Sequence, residues 1–168
     1  MHPWLNRLRN LGRPSPPRLS AIFISPAAGK SMIPIESVFA LQGQGLEGDR
    51  YSLQRGYWKV TEACEVTLIS EHDLRHALRR GISNQELRAG IHRRNLVISG
   101  LRTEDLRNRD FYIGEQAVFR YHRPRPPCGY LDQVERPGLA RSLGKHSGVC
   151  IQVIREGEIR IGDPLRPV

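Results

Sequence analysis

Hydrophobic positions in this chain come in short runs bounded by turn residues. Leu19 to Ser25 and Glu36 to Leu41 read as strands, the first ended by Ser25-Pro26 and the second by a glycine-rich turn. Glu65 to Ile69, Asn95 to Ser99, Phe111 to Ile113, Gln116 to Tyr121, Gly148 to Ile154 and Glu158 to Ile161 repeat the signal. Two stretches carry helical punctuation instead. Ser70 with Asp73 reads as a capping box, Leu74 and Leu78 give the helix through Arg80 an apolar stripe, and Gly81 ends it. Ser83 with Glu86 repeats the box for a shorter helical turn. Near the start, Trp4, Leu5, Leu8 and Leu11 share one face at helical spacing until Pro14, Pro16 and Pro17 stop the pattern. That run suits a tail docking on a partner or, being basic and free of acids, a targeting segment. The pattern as a whole predicts a mainly β fold, a barrel or sandwich with a few short helices in its connections.

Composition narrows this picture. A length of 168 residues suits one sizeable core, so a basic, proline-rich tail over residues 1–18 and a single domain over 19–168 are expected. A large multidomain enzyme is excluded. With 39% apolar residues, 26% charged, 12 prolines and 16 glycines, neither a coiled coil nor wholesale disorder fits. The longest apolar stretch, Leu19 to Ala28, is interrupted by Ser20, Ser25 and Pro26 and falls short of the ~20 residues that a membrane helix needs. A soluble protein with no membrane span is expected.

Charge raises the question of a partner. The 26 basic against 17 acidic residues give a formal +9, and all but Lys30, Lys59 and Lys145 of the basic ones are arginines. The planar guanidinium fork suits phosphate and carboxylate, so the competing class is a non-enzymatic basic module for nucleic acid. Against it, no aromatic-rich basic strand or recognition-helix pattern is present. Part of the surplus lies in the tail, on Arg7, Arg9, Arg13 and Arg18. Much of the rest gathers between Arg75 and Arg94 and at Arg120, Arg123 and Arg125, which suits a localised site better than a polyanion footprint.

Candidate chemistry follows from these clusters. Gly43-Gln-Gly45-Leu-Glu-Gly48 matches a dinucleotide-binding glycine pattern, but the polar, non-periodic Asp49-Arg50-Tyr51-Ser52 cannot open the helix which that role requires. The glycines instead shape a loop with positive φ that carries Asp49 and Arg50, either as site residues or simply as a turn closed by a local pair between them. His72 and His76 are four apart, as a metal pair would be, yet they lie off the apolar stripe and read as a solvated face. Arg93-Arg94-Asn95 directly precedes an apolar strand and presents two guanidinium groups and an amide at its mouth, either for an anionic ligand or as a solvated charge pair. Three cysteines cannot all pair, which points to a reducing compartment with at least one free thiol, hence a cytoplasmic protein. Cys64 and Cys150 lie in strand patterns and read as packing. Cys128 sits in the stiff loop Arg123-Pro-Arg125-Pro-Pro127-Cys128-Gly129, where arginines attract an anionic sulfur, so it is the candidate nucleophile or soft metal ligand.

Taken in order, Gly45-Leu-Glu-Gly-Asp-Arg-Tyr51, Val66-Thr-Leu-Ile69 with Glu71, Arg93-Arg-Asn-Leu-Val-Ile-Ser-Gly100, Phe111-Tyr-Ile-Gly114, Pro127-Cys128 and the closing Gly148 to Asp163 stretch resemble the MOSC family, named after the C-terminal domain of molybdenum-cofactor sulfurases. The resemblance covers residues 19 to 165 and is closest to small free-standing bacterial members. It implies a small closed β-barrel like that of pyruvate kinase. It also implies a molybdenum cofactor, with Cys128 as molybdenum thiolate ligand or persulfide sulfur carrier and Arg93 and Asn95 holding the cofactor. Arg50, Lys145 and His146 are further contacts on the same reading. The chemistry would be cofactor sulfur transfer or reduction of an N-hydroxylated small molecule. With no pyridoxal-phosphate desulfurase segment, the chain would depend on a partner, either a cysteine desulfurase as sulfur donor or a redox protein.

Overall fold

The computed structural model describes residues 15–57 and 64–168, so the amphipathic run over residues 4–11 lies outside the described residues. An eight-stranded sheet dominates. It runs β11-β7-β8-β9-β5-β6-β1-β2, where β1 is Arg18–Ile24, β2 Ile33–Ile35, β5 Val66–Ser70, β6 Leu96–Ser99, β7 Asp110–Ile113, β8 Ala117–Pro124, β9 Val149–Arg155 and β11 Leu165–Pro167. A second sheet places β3 (Ser37–Leu41) between β10 (Gly157–Arg160) and β4 (Gly45–Leu46). Among the described residues four short α-helices fill the connections: α1 (Glu71–Leu78), α2 (Asn84–Arg88), α3 (Gly129–Val134) and α4 (Leu139–Leu143).

The strand pair β5–β6 is parallel, with Leu68 opposite Leu96 and Ser70 opposite Ile98. Parallel neighbours need a long crossover, and α1 with α2 supplies it. Ser70 caps α1 by accepting a hydrogen bond from the Asp73 N–H at 3.1 Å. The reciprocal half of the expected box is missing, because the Ser70 N–H donates to Thr103 Oγ1 instead. Ser83 and Glu86 do form the full box on α2.

The expected barrel closure is not found: the large sheet keeps two ends, β11 and β2. The Leu19 N–H donates to the Asp163 carbonyl and the Gly162 N–H to the Leu19 carbonyl, so the start of β1 does approach the segment before β11. Only an isolated bridge, Arg18 to Pro164, results. Pro164 has no N–H to donate and Gly162 sits at φ 94°, so a ladder cannot propagate along this seam.

Burial divides into two clusters. Leu19, Ile22, Leu68, Leu96, Ile98, Phe111, Phe119 and Ile151 belong to the main core enclosed by the two sheets. A second cluster, including Phe23, Ile69, Leu74, Ala77, Leu131 and Leu143, joins the helices to the opposite face of β1, β5 and β6. Alternation along each strand creates both, since Leu68 faces one cluster and Ile69 the other. Cys64 and Cys150 also depart from expectation: they are joined in a disulfide that ties the chain before β5 to β9, with Cα atoms 5.6 Å apart. Opposed strands bring the two Cβ atoms within reach, a relation between distant segments that spacing along the chain does not reveal. Cys128 is the free thiol among the described residues.

Candidate functional site

The loop after β4 builds one wall of a cleft. Asp49 is fully buried, and its Oδ1 accepts from the Ser25 N–H at 2.9 Å and from Arg50 Nη1 at 3.1 Å, while Oδ2 accepts from the Tyr51 N–H at 3.2 Å. One carboxylate thus pins the loop and orients Arg50. The second arm of Arg50 donates to the Arg93 carbonyl at 3.3 Å, and its guanidinium lies 4.5 Å from the centre of the Tyr51 ring. Gly45 makes the approach possible, since at φ 111° an added Cβ would collide with the Glu65 carbonyl oxygen.

The segment before β6 forms the second wall. Arg93 has φ 57°, the left-handed region in which a side chain with a Cβ is strained. Consecutive residues of an extended strand point to opposite faces, and this turn lets Arg93 and Arg94 line the same cleft. Arg93 Nη1 donates to the Lys30 carbonyl and to Glu135 Oε1, both at 2.8 Å. Its other arm, Nη2, is buried with no hydrogen-bond partner. Arg94 is held by its Nε donating to the Ser147 carbonyl at 2.6 Å and its Nη2 to Ser147 Oγ at 2.7 Å.

Asn95 points away from this cleft into the sheet. Its Oδ1 accepts from the Thr67 N–H and hydroxyl, and its Nδ2 donates to the Phe23 carbonyl, so it fastens β5, β6 and β1 together. His92, fully buried, accepts the Arg94 N–H at Nδ1 and stands edge-on to the Phe23 ring. Burial first, and then Arg94, push its pKa down to about 3, so the ring is neutral.

Cys128 closes the cleft from the Pro-rich loop together with Arg125 and Tyr130; Ala28, Tyr57, Pro126 and Leu131 complete the lining. Tyr57 and Tyr130 stack at 4.1 Å. Four guanidinium groups therefore share the cleft with one free thiol and three tyrosines, Tyr51, Tyr57 and Tyr130. Burial acting alone would raise the Tyr51 phenol, but the charges of Arg50, Arg125 and Arg94 outweigh it and hold the pKa below its ordinary value. Burial and neighbouring Arg125 lower Arg94 to about 9, which still leaves it charged at neutral pH. The pocket attracts an anion. Among the described residues no group of three or more His, Cys, Asp and Glu side chains is placed to hold a metal ion. A metal here would have to arrive with its own chelating ligand and take Cys128 as a single protein thiolate.

A family profile described as the MOSC domain matches residues 46–166. The chain belongs to the MOSC domain family. Solved structures agree on the fold: YuaD from Bacillus subtilis superposes with a TM-score of 0.66 at 15% identity over 89% of this chain and 93% of that one. YiiM from Geobacillus stearothermophilus gives 0.64 at 22% identity over 91% and 75%, and YiiM from Escherichia coli 0.59 at 25% identity over 90% and 69%. No curated protein matches the chain. The family is associated with the molybdenum cofactor.

Of the residues expected at the site, Arg50, Arg93 and Cys128 line the cleft of this MOSC domain. Lys145 is exposed and outside it. His146 lies outside too, stacked on His76 at 3.9 Å with its Nδ1 3.2 Å from Asp73 Oδ1. Arg94, read from the sequence with Arg93 as a guanidinium pair, lines the cleft as well, whereas Tyr51, Arg125, Glu135 and Ser147 are contributors to which sequence reasoning gave no role. Arg125 alone had a local signal, its place three residues before Cys128.

Proposed function

We propose that this MOSC domain holds an anionic molybdenum cofactor in the cleft, with Cys128 acting as a metal thiolate or as a persulfide carrier. The observation that carries the reading is the buried, unpartnered Nη2 of Arg93 in the wall of a cleft that also contains Arg50, Arg94, Arg125 and a free thiol. A buried donor without an acceptor is costly, and a phosphate-bearing ligand would satisfy it with a charge-assisted hydrogen bond. Arg50, Arg93, Arg94 and Arg125 would grip the anion, and Cys128 would meet its soft-metal end. The cofactor would supply a metal able to change oxidation state. Asn95 serves this site by positioning Arg93 and Arg94 rather than by contact.

As a carrier, the Cys128 thiolate attacks the outer sulfur of a donor persulfide. The new S–S bond forms on Cys128, the donor's S–S bond breaks, and the donor leaves as a thiolate with the electron pair of that bond. The arginines stabilise the charge on either sulfur. A cysteine desulfurase would supply the sulfur, or a redox protein the electrons if the reaction is reduction of an N-hydroxylated small molecule. A cytoplasmic setting belongs to the same reading, and there Cys64 and Cys150 would stand as thiols. A nucleic-acid module is disfavoured because the cleft arginines are aimed inward and tied to buried partners.

The deciding experiment is metal and pterin analysis of protein purified from a host that makes the cofactor, with Cys128→Ser alongside. Copurification of molybdenum and pterin that is weakened by Cys128→Ser is expected for a metal ligand. A one-sulfur mass adduct on Cys128 after exposure to a desulfurase and cysteine is expected for a carrier. Absence of metal, pterin and adduct alike overturns the reading.

A further inference from the structure

Several arginines of the structure are matched to a carboxylate, among them Arg50 with Asp49, Arg93 with Glu135, Arg120 with Asp110 and Arg136 with Glu86. A cluster of exposed cations without such a partner lies on one face. Among the described residues, Arg75, Arg79, Arg80, Arg141 and Lys145 form no ion pair and all are exposed. They sit on α1, the turn after it, α4 and the turn after that, and α1 packs against α4.

Local contacts fix the arrangement. Arg80 Nη1 donates to the Arg141 carbonyl at 3.4 Å and lies over Gly144, where an added Cβ would crowd it. Arg79 Nη2 meets His76 Nδ1 at 3.2 Å, and the His76 ring is stacked face to face on His146 with 2° between their planes. Of the acids beside this cluster, Asp73 is buried and occupied by His146, Asp132 accepts from the Ala140 N–H at 2.8 Å, and Glu71 on α1 forms no ion pair among the described residues. Ser147, next in the chain, holds Arg94 in the cleft, so the face and the site share one support.

We infer that the α1–α4 face is a docking surface for a protein with an acidic surface, the donor that delivers sulfur or electrons to the cleft. The identity of the cargo rests on the function proposed above; the acidic character of the partner rests on the unpaired cations alone. Long-range attraction between such surfaces steers encounter and fixes orientation. A protein fits better than a nucleic acid because the rings on this face, His72, His76 and His146, pack on one another rather than standing as a row of separate platforms for successive bases.

The test is fluorescence anisotropy of two labelled probes on the full chain, a glutamate-rich peptide and a single-stranded oligonucleotide of equal charge, at about 0.15 M salt. Arg79→Glu, Arg80→Glu and Arg141→Glu together should weaken peptide binding by roughly tenfold, and the neutral Arg→Gln set by less, since each exposed pair contributes modestly. A control pair away from the face, Arg107→Glu with Arg109→Glu, should leave peptide binding nearly unchanged. Equal weakening by the control, no weakening by the triple variant, or tighter binding of the oligonucleotide than of the peptide overturns the proposal. Loading of Cys128 by glutathione persulfide reports separately on the cleft. It should be the same in every variant, and its failure would count against the carrier function while leaving the docking result to stand on the peptide.

Discussion

Arg93 and Arg94 are sequence neighbours with different duties. Arg93 spends one arm on Lys30 and Glu135 and keeps the other buried and unpartnered, whereas Arg94 is clamped on Ser147 and borders Tyr51, Arg125 and Cys128 in the electrostatics of the cleft. The triplet Arg93-Arg94-Asn95 was legible as a site from the sequence. Its division of labour was not, because the left-handed turn at Arg93 that aims both guanidinium groups into the cleft is set by packing against β1 and the loop after β4. His92 was silent in the sequence, yet it carries a definite pH signature. Its pKa falls from 6.5 to about 3 on folding, so below pH 6.5 the unfolded chain binds a proton that the folded chain refuses. Stability contributed by neutral His92 is therefore complete above pH 6.5 and declines as the pH drops towards 3, by roughly 5 kcal/mol over the whole window. Urea denaturation across that range should show a shallower acid loss in His92→Gln than in the native chain. Parallel curves would mean that the imidazole is protonated inside the fold.

Strands and the first two helices were readable because their signals are local. Short apolar runs bounded by turn residues mark β1, β5, β8 and β9, and serine followed three residues later by an acid marks the starts of α1 and α2. The edges β2, β4 and β11 are only two or three residues long, too short for a period to show. Helices α3 and α4 follow Cys128 and Gly138 with no side-chain cap, so they form by packing Leu131, Leu139 and Leu143 on the second core cluster rather than by propensity. The entry to β9 shows how an element and the site depend on each other. Gly148 has φ 87° and its hydrogen fits against β5, where a Cβ would collide with the Leu68 carbonyl oxygen. Gly148→Ala should cost roughly 3 kcal/mol, from the left-handed backbone and the displaced strand together. Because Ser147 would move with it and release Arg94, phosphate binding in the cleft, read as slower alkylation of Cys128 when phosphate is added, should weaken as well. A variant that keeps both its urea midpoint and its anion protection would show that β9 tolerates the shift.

On the scale of the whole molecule, charge and cysteine pairing both depend on which distant segments meet. Apart from the tail, part of the positive charge converges as arginines on one cleft and part lies as a cluster of unpaired cations on the α1–α4 face, groupings that only the fold creates. Likewise, three cysteines suggested free thiols, but β9 lies beside β5 and brings Cys150 to Cys64 across 86 positions of sequence. Closing a loop of that size restricts the unfolded chain, and chain-entropy reasoning assigns such a link about 4.6 kcal/mol of stability. The same link anchors the chain just before β5, whose Thr67 holds Asn95 and through it the segment bearing Arg93 and Arg94. In a Cys128→Ser background, which removes the third thiol from the comparison, adding a reductant should lower the urea midpoint, and Cys64→Ala with Cys150→Ala should reproduce that loss without further response to reductant. If the background protein unfolds at the same urea concentration with and without reductant, the cross-link adds nothing to stability, and the junction of β5 and β9 rests on its strand pairing and core contacts alone.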